Sequence, residues 1–196
     1  MADFLQCKAR NAVNPNGLTS ILTRQCDKSA CKKRIRITLA CLSENHCPEC
    51  LKLDGCYFLK EKTPPHPHHP YCHCLLNFIS YNTVLKNAKA VSDYSKYDPY
   101  LFNPEGKYPH NKEKLFKSWG YTISDAKWLQ KEIERQAIEK YINGDYVLGK
   151  LDKEGQRISI RVEISRKDKE STVSFITGWM IYPNGKIQLT TPYGGK

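Results

Sequence analysis

Cys47-Pro48-Glu49-Cys50 sets two thiolates on one short hook, and His69, Cys72 and Cys74 follow on a segment stiffened by prolines. Two local pairs of soft or borderline ligands, joined by a loop that the ion closes, are what a tetrahedral zinc site needs. His69, Cys72 and Cys74 compete for two positions. His69 is preferred to His66 and His68 because it lies three residues before Cys72, and a histidine-rich tract attracts metals without selectivity. A thiolate-rich closed site keeps no coordination position for substrate, so the expected cofactor is a structural Zn²⁺.

The nine cysteines all lie within residues 1–74. An odd number leaves at least one thiol outside any disulfide framework, whereas metal binding accounts for the clustering. Cys7, Cys26, Cys31, Cys41 and Cys56 read either as part of a second, incomplete site or as small buried thiols. The start, Met1 to Cys7, has no basic stretch leading into an apolar one, so the expectation is a reducing cytoplasm, where cysteines bind metal more often than they pair. No apolar run approaches the length of a transmembrane helix.

The second half offers different chemistry. His110 is its one histidine, and an unperturbed imidazole suits acid–base work at neutral pH. It stands just before a predicted helix, with Lys112 and Lys114 on the first turn. Arg157 and Arg161 fall on the polar face of one predicted strand, where they either clamp a phosphate or pair with Glu163 or Glu154. Thr190, Thr191 and Tyr193 end the last strand with hydroxyls. No compact Asp/Glu cluster of the kind that holds two Mg²⁺ ions is visible. Cleavage of RNA by its own 2′-hydroxyl needs only a base, an acid and cations on the phosphorane. The candidate set for that reaction is His110, Lys114, Arg157, Arg161, Thr191 and Tyr193. A net charge of +11 with 11% aromatic residues suits a nucleic-acid partner; solubility alone is the plainer reading.

These residues need elements to hold them. Within 196 residues, the composition changes near residue 80, which divides the chain into a Cys/His-rich zinc-binding region, 1–80, and a domain, 81–196. In the first, residues 32–39 alternate like a strand with one basic face, and residues 57–71 read as a proline-stiffened loop. In the second, Asn111 caps a short helix from Lys112 to Trp119 that stops at Gly120. A longer helix starts at Ser124 with Leu129, Ile133, Ala137 and Tyr141 on one stripe, widened by Trp128, Ile138 and Ile142, and ends at Asn143-Gly144. Four strands follow, over residues 146–151, 157–166, 173–182 and 186–193, the last two joined by an Asn184-Gly185 hairpin turn. Trp119 and Trp179 read as core or as base-stacking platforms. The predicted fold is α+β: a small N-terminal zinc knuckle, then helices packed on a four-stranded antiparallel sheet.

Two resemblances bear on function. Cys47-Pro48-Glu49-Cys50, Leu53-Asp54-Gly55, Pro64-Pro65 and His69-Pro70-Tyr71-Cys72-His73-Cys74 together resemble the zinc knuckle of the phage Mu F-like minor head proteins. Residues 85–196, through Leu85 to Ala90, Lys112 to Tyr121, Trp179, Asn184-Gly185 and Leu189 to Pro192, resemble the C-terminal domains of polymorphic toxins in the barnase, EndoU, colicin and RelE group of ribonucleases. Together they imply a toxin-like, metal-independent ribonuclease, tRNA-directed, with an immunity protein or a phage capsid component as partner and no membrane partner. It would work in the bacterial cytoplasm, carried in a virion or delivered into a target cell. The alternatives are a non-enzymatic phage head-associated or nucleic-acid-binding protein, and a DNA-binding zinc module with a folded tail.

Overall fold

The strand Gly155–Ser165 sets the layout. Ile158, Ile160, Val162 and Ile164 are buried on one face, and Arg157, Arg161 and Glu163 are exposed on the other, the period-two pattern of a sheet covered on one side. The computed structural model describes residues 34–39, 48–70, 72, 74–79, 87–103, 105–106, 108 and 110–195. Their elements in chain order are β1 (Arg34–Leu39), α1 (Pro48–Leu53), β2 (Tyr57–Leu59), β3 (Cys74–Ile79), β4 (Lys89–Val91), α2 (Lys112–Lys117), α3 (Ala126–Asn143), β5 (Val147–Asp152), β6 (Gly155–Ser165), β7 (Thr172–Ile181) and β8 (Lys186–Gly195).

The fold is α+β, with one correction to the expected sheet. It has five strands, not four, in the order β4-β8-β7-β6-β5, and β4 runs parallel to β8. Lys89–Val91 is too short to show a period of its own, so only its pairing with Lys186 to Gln188 reveals it. A second, antiparallel sheet joins β2, β1 and β3, so residues 57–59 of the expected loop are a strand. The sharp turn at Pro183-Asn184-Gly185 matches expectation, with both Asn184 (φ 61°) and Gly185 (φ 75°) left-handed.

Helix α3 covers the apolar face with Leu129, Ile133, Ala137 and Tyr141, as its stripe predicts. Its start differs: a 3-10 turn at Ile123–Asp125 precedes it, and the Thr122 N–H is held by the Asp125 carboxylate at 2.9 Å. Trp128 does not widen the stripe. It is exposed, stacked on Tyr121 with ring centroids 5.7 Å apart. Trp119 and Trp179 are both core. The Trp179 indole N–H donates to the buried Thr177 hydroxyl at 2.8 Å, which donates to the Ile160 carbonyl at 2.9 Å, leaving no buried polar group of that pair unsatisfied.

The packing does not follow the compositional change near residue 80. All described residues fall in one compact unit, Lys32–Lys196, and Leu53, Cys56 and Phe58 are fully buried in the same core as α3 and the five-stranded sheet. The Tyr141 hydroxyl donates to the Tyr57 carbonyl at 2.8 Å, and the Asn184 N–H to the Gly55 carbonyl at 3.1 Å. At the end of α3, Gly144 takes φ +75°, and a Cβ there would lie 1.5 Å from Leu59 Cδ1. Gly144→Ala therefore combines left-handed strain with a steric clash, and we expect a loss of about 3 kcal/mol in urea unfolding.

Candidate functional site

Two clusters gather the residues singled out by chemistry. In the first, α1 presents Cys50 on its buried side. A turn closed by the Cys72 N–H on the His69 carbonyl (3.1 Å) brings the other two ligands round to it. Cys50 Sγ lies 3.6 Å from His69 Nε2 and 3.7 Å from Cys72 Sγ. The ligand atoms of Cys50, His69 and Cys72 all lie within 4.8 Å of one another, a group that could hold a metal ion. Cys47 lies outside the described residues, and Cys74 begins β3 with only its backbone described.

The neighbouring residues divide cleanly from this trio. The rings of His66 and His68 meet edge to face, 5.5 Å apart. Burial, then the proximity of His66, holds His68 below the ordinary imidazole value. Cys56 is buried, and its thiol donates to the Lys52 carbonyl at 3.3 Å. Burial pushes this thiol up to about 12, with Asp54 adding to the effect. Its contribution to stability holds below the ordinary thiol range and is lost as pH rises toward 12.

The second cluster lies beside β8, beyond its pairing with β4. Lys112 Nζ donates to the Tyr100 hydroxyl at 2.9 Å and to Thr191 Oγ1 at 3.3 Å, and sits 4.8 Å from the Tyr100 ring centroid. Thr191 passes its own proton to the Tyr193 carbonyl at 3.0 Å. The His110 ring lies 4.8 Å from Tyr100 and stacks parallel to Tyr108 at 6.1 Å. Asn103 fixes Tyr108, donating to its carbonyl at 2.6 Å and accepting its N–H at 3.2 Å.

The Lys112 N–H points to His110 Nδ1 at 3.4 Å, which places the neutral ring's proton on Nε2. That atom is buried and makes no hydrogen bond among the described residues. Among the described residues no carboxylate pairs with Lys112, whereas Lys117, Arg135, Arg157, Arg166 and Lys167 all have one. A cation held by neutral oxygens, on a tyrosine ring that an imidazole also meets, is arranged to receive an anion.

The cluster revises the expected set. His110 and Thr191 belong to it. Lys112 takes the place expected for Lys114, which is exposed. Tyr193 contributes its carbonyl, because its ring packs on Phe116 and Phe175 at 6.3 and 6.1 Å. Asn111 makes no side-chain cap on α2. Tyr100 carried no signal, being one of twelve tyrosines with no telling spacing.

A bulge shapes the strand beneath. Gly178 of β7 pairs with Thr191, and Trp179 with Leu189, leaving Thr190 as the extra residue. A Cβ on Gly178 would lie 2.9 Å from both Thr190 Oγ1 and Thr191 Cγ2, so both threonines crowd one face of the sheet. Gly178 also pairs with Ser159, between Arg157 and Arg161 on that face. Arg157 pairs with Asp152 at 3.3 Å, and Arg161 donates to Ser174 Oγ at 3.1 Å. The expected carboxylate partners, Glu163 and Glu154, are not used.

Residues 84–196 match the model of the family described as Domain of unknown function (DUF6883). The chain belongs to that family. No curated protein and no solved structure matches it. The DUF6883 match contains the whole Tyr100–His110–Lys112–Thr191 cluster, and the group of Cys50, His69 and Cys72 precedes it.

Proposed function

We propose that the chain is a metal-independent ribonuclease of the toxin-like kind, acting on RNA and first of all on tRNA, with a structural zinc in its N-terminal knuckle. The observation that carries this reading is Lys112: among the described residues its ammonium has neutral partners only, the hydroxyls of Tyr100 and Thr191. A phosphodiester placed there would meet the positive charge of Lys112, and the Nε2–H of His110, buried here, would reach it only after the ring turns outward. For His110 to take the 2′-hydroxyl proton instead, the ring must adopt its other tautomer and give up the 3.4 Å contact with Lys112 N–H, a weak bond by its length. Thr191 and Tyr100 keep the ammonium aimed, and Arg161, whose guanidinium has only a serine partner among the described residues, adds charge to the same sheet face.

The resemblances to phage Mu F-like knuckles and toxin ribonucleases support the reading, and they make an immunity protein or a capsid component the expected protein partner and the bacterial cytoplasm the place of action. For the metal, Zn–S and Zn–N bonds at tetrahedral angles put two sulfurs roughly 3.8 Å apart and a sulfur and nitrogen roughly 3.6 Å apart. The observed separations of 3.7 and 3.6 Å fit that figure. Cys50, His69 and Cys72 would hold the ion, with Cys47 or Cys74 as the fourth ligand. Its part is to tie α1 to the loop.

Purified protein incubated with total tRNA, without added divalent ions, is expected to give discrete fragments ending in 2′,3′-cyclic phosphate. Intact but retarded tRNA on a native gel would replace this reading with the non-enzymatic one. Zinc-dependent binding confined to duplex DNA would favour the DNA-binding module.

A further inference from the structure

We infer that the substrate reaches Lys112 as a single strand, along a path of alternating tyrosines and lysines that runs from the start of α3 to the cluster; the inference rests on the RNA-cleaving reading above. Lys127 Nζ lies 5.3 Å from the ring centroid of Tyr94, and Lys96 Nζ lies 5.8 Å from that of Tyr100, whose ring also carries Lys112 at 4.8 Å. Tyr100 thus joins two amines, which lie within the sum of those distances of one another, close enough to serve neighbouring phosphates of an extended strand. The 3-10 turn Tyr94–Lys96 and the bonds Asp98 N–H to Tyr94 O (3.0 Å) and Tyr100 N–H to Ser95 O (3.1 Å) fold this segment into one surface.

Charge supports the same occupant. Among the described residues none of Lys96, Lys112 and Lys127 has a carboxylate within ion-pair distance. Asp93, on the same turn, accepts the Ser95 N–H at 2.9 Å and keeps its charge, close enough to Lys96 to feel it, but outside ion-pair distance. Tyr94 is 38% exposed, so part of its ring is open to solvent. Lysines interleaved with aromatic faces suit a backbone of phosphates whose bases are unstacked and free to lie on rings. A duplex keeps its bases inside and has no use for the tyrosines.

The test is binding of a fluorescent 2′-O-methyl RNA, which cannot be cleaved, compared with the same strand annealed to its complement. The parent protein is expected to hold the single strand about tenfold more tightly at equal salt. Tyr94→Ala should weaken single-strand binding about fivefold. Lys96→Gln should lower the slope of log K against log salt by about 0.7, with circular dichroism unchanged for both. Equal affinity for the duplex, variants that bind like the parent, or competition by polyglutamate as effective as by unlabelled RNA would each overturn the path. Cleavage of unmodified RNA is followed separately. Selective binding without cleavage would overturn the nuclease reading alone, and cleavage with no strand preference would overturn the path alone.

Discussion

Lys112→Ala is expected to reduce RNA cleavage by about two to three orders of magnitude in kcat/KM, the usual cost of removing one preorganised donor from a developing charge. Stability should change by less than about 0.5 kcal/mol, because the partners left behind are hydroxyls at a partly solvated site. Lys114→Ala, two positions along the same helix, should cleave like the parent. Lys112→Arg should recover only part of the loss, since a planar fork cannot reproduce a point charge between Tyr100 and Thr191. Initial rates on a labelled tRNA, with thermal melts alongside, decide it. Equal activity in the Lys112 and Lys114 variants would remove Lys112 from the chemistry.

The other large effect belongs to the metal. Chelation of the purified protein, or Cys50→Ser, is expected to lower the melting temperature of the whole unit by more than about 10 °C, taking roughly 3 °C per kcal/mol for a chain of this size and a loss of several kcal/mol. The reason is shared packing: the trio fixes α1 and the turn after His69, which frame Leu53, Cys56 and Phe58 in the common core. Well below the lowered midpoint, chelated protein should still cleave RNA, because the ion takes no part at the phosphate. Added zinc should restore the melt. Two separate transitions, with only one responding to the chelator, would contradict the shared core.

What the sequence could reveal follows the range of the forces involved. Alternation along β6 and the stripe on α3 are local, and both were legible. So was the group of Cys50, His69 and Cys72, because His69 and Cys72 stand three residues apart and Cys50 ends a Cys-x-x-Cys hook. The three-residue strands β2 and β4 were not, since their existence depends on partners far along the chain. Trp128 was misplaced because apolar character alone does not tell a core residue from one stacked outside on Tyr121. Choosing between Lys112 and Lys114 required knowing which side of a six-residue helix meets β8, and successive helical residues turn by about 100°, so two positions nearly reverse the direction. Tyr100 becomes visible only when the turn after Tyr94 carries it back to Lys112.

The Leu59–Gly144 contact bears on how the family's limits are drawn. A gene trimmed to the matched stretch would keep the Lys112 cluster and discard Leu59, which packs against the end of α3. The hollow beside Gly144 would then be open to water, and the Tyr141 hydroxyl would lose its acceptor. Relatives lacking this upstream segment must therefore seal that end with some other piece of chain, or with a second molecule.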